Sequence, residues 1–169
     1  MTVLCPGGSM ELKSLMRNTF QLSGPVYLRI GKTGEPKIHS VPPDPTITKG
    51  LIIKEGFRLC VFSTGNMLPL ALETAAKLEK QSIFPYIVSL HTVKPLDTEL
   101  LFSLAATHPL SITLEVHSWI GGMGSLLAEW CVGYAPKLPK NLRFGTPDFF
   151  PHCVGSQNYF PTQYGLTPE

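Results

Sequence analysis

What this chain has little of narrows the field first. Its 14 basic and 12 acidic residues leave a formal charge of +2, and no run gathers the lysines and arginines into a block. Binding along a phosphate backbone draws on clustered positive charge, so nucleic acid is not implied as a partner. The longest apolar stretches, such as LCVF and YIVSL, break within a few residues, far short of the roughly 20 needed to cross a bilayer. No membrane partner is expected. The start, MTVLCPGGSMELKSL, lacks the basic segment and apolar run of a secretory leader, so a soluble, cytoplasmic protein is expected. Cys5, Cys60, Cys131 and Cys153 are far apart and none forms a CxxC pair. Neither a metal site nor a redox pair is written in that spacing. Reduced thiols are expected, with Cys60 and Cys131 packing as small hydrophobes.

What is present is enough for one full domain and a piece of another. The chain has 169 residues, 43% of them apolar, and single domains cluster around roughly 100 to 150 residues. Residues 9–22 place Met10, Leu12, Leu15, Met16, Phe20 and Leu22 at helical intervals behind a capping Ser9. GPVYLRIG then reads as a strand. Residues 33–46 hold four prolines and little apolar surface, the composition of an extended linker. One helix and one strand cannot close a core, so the segment before the linker reads as the tail of a larger domain and the chain as a fragment or a subunit.

Beyond the linker, strands and helices alternate. LIIKEG, RLCVFSTG, PYIVSLHTVKPL, SITLEVHS and NLRFGT read as strands. Residues 67–81, with Leu68, Leu72, Ala75, Ala76 and Leu78 inward, DTELLFSLAATH with Asp97 as cap, and GSLLAEWCVGYA read as helices. The tail from Gly155 adds a short helix. Apolar strands separated by helices of 10 to 15 residues predict an α/β fold with a mostly parallel sheet covered on both faces. Ligands of such sheets bind outside the carboxyl ends of the strands. Those ends are residues 63–66, 90–94, 115–124 and 145–150.

Several residues at those ends carry chemistry, each with a plainer reading beside it. The corners STGNM, with Gly65 and Asn66, and GGMGS, with Gly121, Gly122 and Gly124, place glycines before helices. Free N–H groups there can hold an anion, or the glycines serve tight turns. GGMGS does not fit the GxGxxG fingerprint, which argues against an independent nucleotide-binding domain. Glu115 and His117 sit two apart on one strand face, either as a carboxylate-oriented acid or base or as a pair that fixes the corner or an interface. His91 follows a strand in the same ambiguous way. Arg29 and Lys32 flank Gly31 at a strand end, where both cations can converge on an anionic group or stand apart in solvent.

Taken together, PVYLRIGKTGEP, LCVFSTGNMLPLALETAAKLEKQSIFPYIVSLHTVKPLD, TLEVHSWIGGMGSLLAEW and RFGTPDFFPHCVGSQNYFPTQYGL resemble the C-terminal third of the transketolase family of thiamine-diphosphate enzymes. The resemblance covers almost the whole chain in order. It implies that residues 1–32 are the last helix and strand of the pyrimidine-binding domain, 33–49 a linker and 50–169 the C-terminal domain. That domain would be a three-layer α/β/α fold with a five-stranded mixed, mostly parallel sheet whose first strand is antiparallel. The family's diphosphate-binding domain, its metal motif and its cofactor-activating glutamate have no counterpart in these residues. Thiamine diphosphate and Mg²⁺ are therefore expected in the complete enzyme and not on this chain alone.

The resemblance also carries residue by residue. The family's substrate-phosphate arginine falls on Lys32, which keeps the charge and loses the bidentate fork. The EVHSWIGGMGS corner matches the family's E-x-H-x-x-x-G-G-x-G pattern, which argues for a structural or interface role and against catalysis by His117. SLHTVKPLD, with His91, is similar to transketolases, where dehydrogenase beta subunits more often have arginine. The implied function is transfer of a two-carbon ketol unit between sugar phosphates. The partners would be the remaining transketolase chain or an N-terminal subunit, with homodimerisation. A 1-deoxyxylulose-5-phosphate synthase, a 2-oxo acid dehydrogenase beta subunit and a non-catalytic, anion-binding docking module are the alternatives.

Overall fold

The computed structural model describes residues 1–31, 36–134, 140–150, 152, 155 and 159–168. Lys32 and Cys153 lie outside them. The larger sheet has five strands in the order β3 (Leu51–Lys54), β5 (Tyr86–Ser89), β4 (Leu59–Ser63), β7 (Leu110–Ser118) and β8 (Lys140–Thr146). β3 runs antiparallel to β5, and every other pairing is parallel. The sheet is thus mixed and mostly parallel, with an antiparallel first strand, as expected.

Burial explains the run LCVFS. All five residues of β4 are buried, because a strand covered on both faces has no solvent side to alternate toward. Cys60 and Phe62 join Val88 and Leu90 against α3 (Thr98–Thr107) and α4 (Met123–Tyr134). Leu59 and Val61 join Ile87 and Leu114 on the other face, against α2 (Leu68–Glu79) and Leu166 of the tail. A short α5 (Tyr159–Gln163) precedes Leu166. Asp97 caps α3 by accepting the Leu100 N–H at 3.2 Å.

A second sheet has the order β2 (Val26–Leu28), β1 (Thr2–Leu4), β6 (Thr92–Lys94), with β1 parallel to β2 and antiparallel to β6. Helix α1 (Ser9–Thr19) connects β1 to β2. The apolar run from Tyr86 is therefore two strands in two sheets rather than one. At the hand-over, the Leu90 N–H donates to the Ser63 carbonyl at 2.8 Å and the Cys5 N–H donates to the His91 carbonyl at 2.7 Å. Local pattern cannot reveal a change of partner in mid-run. β1, only three residues long, gives no periodicity to read.

α1 departs further from its sequence pattern. Gly8, not Ser9, precedes the helix, and no side chain caps it from that position. The Glu11 carboxylate accepts the Gly7 N–H instead, at 2.7 Å. Glu11 and Leu15, one turn apart, are buried while Met16, Phe20 and Leu22 are exposed; the helix ends at Thr19, short of the expected Leu22, and its buried stripe runs through Glu11 and Leu15 rather than being centred on its apolar residues. In α2 the inward alanines are Ala71 and Ala75, and Ala76 is exposed. Residues 36–49 form neither helix nor strand, yet they pack: Pro45 and Ile47 are buried, and the Asn18 side-chain amide donates to the Pro45 carbonyl at 2.9 Å.

Ile87 has no exposed surface and packs between β4 and α2. Ile87→Ala is expected to lower unfolding free energy by about 2 to 5 kcal/mol, read as a lower urea midpoint. Ala76→Ser, on the exposed side of α2, is expected to change it by less than about 0.5 kcal/mol.

Candidate functional site

The carboxyl ends of β4 and β7 face the carboxyl ends of β1 and β2, and two clefts open between them. One, of about 240 Å³, is lined by Arg29, Gly65 and Asn66 together with Cys5, Thr64 and Val116. The other, of about 520 Å³, is lined by Arg29, His117, Gly121 and Gly122 with Tyr27, Thr64 and Lys94. Cys5, Arg29 and Thr64 are walls of both. Arg29 is held there by its own backbone, whose N–H donates to the Leu4 carbonyl at 2.8 Å. The Gly65 N–H donates to the Cys5 carbonyl at 3.1 Å, and Gly65 has φ +58°, a conformation that glycine adopts without a Cβ clash.

Among the described residues no carboxylate lines either cleft, while the cations Arg29 and Lys94 do. That charge balance suits an anionic group. Of the residues singled out in the sequence, the structure brings Arg29, Gly65, Asn66, His117, Gly121 and Gly122 to these walls. Glu115 and Gly124 line neither cleft, and Lys32 lies outside the described residues. Cys5, Tyr27, Thr64 and Lys94 were not singled out. Thr64 and Lys94 fall within strand-end segments recognised in the sequence, but nothing local separates them from their neighbours. Cys5 and Tyr27 reach the cleft only because β1 and β2 dock against the larger sheet. Burial pushes the Cys5 thiol up, outweighing the opposing pull of the Arg29 guanidinium and of Thr64. It is a neutral thiol at neutral pH rather than a nucleophile.

Beneath the larger cleft the GGMGS corner is held by Glu115. Its carboxylate is fully buried and accepts the Met123 N–H at 2.7 Å and the Gly124 N–H at 3.1 Å. Ile120 and Gly121 donate their N–H groups to Ser118 Oγ and Ser125 Oγ. The anion seated at the start of α4 is thus the protein's own side chain, which stabilises the positive end of the helix. A Cβ on Gly122 would stand 2.0 Å from Glu115 Oε2, and one on Gly124 would stand 2.7 Å from Thr113 Oγ1. His117 Nδ1 lies 3.3 Å from Glu115 Oε2 and 3.2 Å from the Ser118 carbonyl. Two acceptors near Nδ1 favour a proton on that nitrogen of the half-buried ring.

His91 is a separate feature. It is fully buried beside the sheet hand-over, with Nδ1 3.0 Å from Thr92 Oγ1. Burial lowers its pKa from the ordinary value of 6.5, against smaller opposing effects of Glu11 and Asp97.

Two measurements probe this region. Glu115→Ala leaves two buried amides without an acceptor at about 1 to 3 kcal/mol each, so its melting temperature is expected to fall by several degrees. Gly122→Ala is expected to fall comparably, by steric conflict with the same carboxylate. Because His91 binds its proton less readily folded than unfolded, its contribution to stability is full above about pH 6.5 and is lost as pH falls. Urea midpoints between pH 5 and 7 are expected to drop for the native sequence and to flatten in His91→Gln.

Comparison with known proteins places this architecture. A family model described as "Transketolase, C-terminal domain" matches residues 48–169. Over the whole chain there is 34% identity to a 6-deoxy-6-sulfo-D-fructose transketolase subunit from a Clostridium species, covering 52% of that protein. A 1-deoxy-D-xylulose-5-phosphate synthase from Chlorobium luteolum is 33% identical over 89% of the chain and 24% of its own length. The chain therefore spans about half the length of the first relative and about a quarter of the second. A solved structure described as a split-gene transketolase, inactive beta4 tetramer, superposes with a TM-score of 0.91 at 31% identity, covering 99% of this chain and 54% of that one. With the family model spanning most of its residues and its backbone superposing over nearly its whole length, this chain belongs to the transketolase family and carries that family's C-terminal domain.

Proposed function

We propose that this chain is one part of a larger thiamine-diphosphate enzyme that moves a two-carbon ketol unit between sugar phosphates. In this reading residues 1–32 complete the pyrimidine-binding domain, 33–49 link it, and 50–169 form the C-terminal domain. The observation that carries the reading is the cationic cleft at the meeting of the two sheets, with Arg29 on both of its halves and no carboxylate on its described walls. A guanidinium presents a planar fork to a phosphate, and Lys32, three residues on, supplies a second charge. Together they hold the substrate's phosphate while the chain frames the assembly.

Full enzymes of this family depend on thiamine diphosphate. Among the described residues no three His, Cys, Asp or Glu side chains gather as a metal requires, and the clefts lack carboxylates. These residues do not fit a Mg²⁺-diphosphate group, so the cofactor is assigned to the remainder of the enzyme and no step is derived through it. The relatives named as a subunit and as a split-gene product support an N-terminal partner, and the complete enzyme is proposed to be a cytoplasmic homodimer of such pairs. Among the described residues no helix is long and apolar enough to cross a membrane. Similarity to 1-deoxy-D-xylulose-5-phosphate synthases favours one further reading, in which the same cleft serves that condensation.

In the complete enzyme, Arg29→Ala and Lys32→Ala are each expected to raise KM for a ketose phosphate about 10-fold or more, from loss of a charged hydrogen bond of about 1.5 to 3 kcal/mol, with kcat little changed. KM for the unphosphorylated ketose is expected to stay constant. Equal effects on both substrates would remove these residues from phosphate binding. Product analysis with pyruvate and glyceraldehyde 3-phosphate separates the two reactions, since only the synthase releases carbon dioxide.

A further inference from the structure

At the opposite, amino end of the strands, a small cavity of about 20 Å³ lies between α3, β7 and α4. Most of its wall is apolar, but His108, Ser111 and Trp130 also line it, and each is more than nine-tenths buried. Trp130 Nε1 and His108 Nε2 are buried without a hydrogen-bond partner. Native interiors rarely leave such groups unpaired, since each costs on the order of 1 to 3 kcal/mol.

The protons around this cavity can be assigned from its neighbours. Thr107 Oγ1 donates to the Ser103 carbonyl at 3.1 Å, with the Leu104 carbonyl at 3.4 Å. A hydroxyl has one proton, so at its 2.9 Å contact with His108 Nδ1 the oxygen accepts and the ring nitrogen donates. In the neutral imidazole this leaves Nε2 as a bare acceptor. Ser111 Oγ donates its own proton to Asn141 Oδ1 at 3.2 Å, so it too presents lone pairs. The indole of Trp130 can only donate. The wall thus offers one donor and two acceptors. An anion would need donors and a cation would need acceptors alone.

We propose that this cavity is a binding site for a single water molecule, which accepts from Trp130 Nε1–H and donates to His108 Nε2 and Ser111 Oγ. A site for one water needs about 10 to 15 Å³ and two to four polar partners; this cavity holds about 20 Å³ and three polar side chains line it. The water ties the end of α3, the start of β7 and the middle of α4 into one junction. It also fixes His108 as the Nδ1–H tautomer. This site is independent of the cationic cleft and of the reaction proposed there.

Nitrogen-15 NMR of the full chain near neutral pH tests both parts. The His108 ring is expected to show a protonated Nδ1 and a bare Nε2, and the Trp130 indole proton is expected to exchange magnetisation with a long-lived water. Ser111→Ala, the mildest change in the wall, is expected to shorten that residence about five-fold or more, and Trp130→Phe to remove the indole signal while Trp119 keeps its own. A high-resolution crystal structure is expected to place one solvent peak within hydrogen-bond reach of all three atoms. A dry cavity, an Nε2–H tautomer, or a residence time unaltered in Ser111→Ala would overturn the proposal.

Discussion

Glu11 carries a carboxylate with no exposed surface at the point where α1, the segment 36–49 and β5 meet. Oε2 accepts the Gly7 N–H at 2.7 Å and the Ser89 hydroxyl at 3.1 Å, and Oε1 stands 3.1 Å from His39 Nε2. A charge taken out of water costs several kcal/mol unless hydrogen bonds replace its hydration. Here the replacements come from three parts of the chain at once, so Glu11 is satisfied only when the small sheet, the connecting segment and the large sheet are in place. The cleft walls depend on that docking. Cys5 and Arg29 face Thr64 only because β1 is held against the ends of β4 and β5.

A second buried carboxylate uses the same physics locally. Glu115 reaches from the end of β7 to the first amides of α4, and the glycines of the corner bring that backbone within 3.1 Å. The two glutamates differ in what they join. Glu115 fixes the angle between consecutive elements, whereas Glu11 joins elements as far as 78 residues apart in sequence. Both consume backbone N–H groups that an unoccupied corner would offer to a ligand. The cations that remain on the cleft walls are the side chains of Arg29 and Lys94.

Much of the large domain was legible beforehand because its signals are local. LCVF, the body of β4, is apolar throughout since both faces are covered. Asp97 stands where a cap is needed, and Pro69 sits in the first turn of α2, where its missing N–H is harmless. The EVHSWIGGMGS corner carried enough pattern to mark Glu115 and its glycines. Less legible was anything decided by a partner remote in sequence. The division of Tyr86–Lys94 between two sheets follows from where β1 lies. The burial of Glu11 beside exposed Met16 and Phe20 follows from what packs on α1, and helical periodicity alone orders them the other way. Thr64 and Lys94 acquired their place in the cleft by the same route.

The alternation of apolar strands and helices, the proline-rich composition of residues 33–46 and the motifs that mark the family could all be read from the chain alone. These depend on side-chain periodicity, turn chemistry and composition, which act within a few residues of one another. Which strand ends face each other, which carboxylates are buried, and which cations share a cleft were set by long-range packing. Those outcomes require segments tens of residues apart to meet, and the free energy that selects them resides in contacts that no single stretch of chain contains.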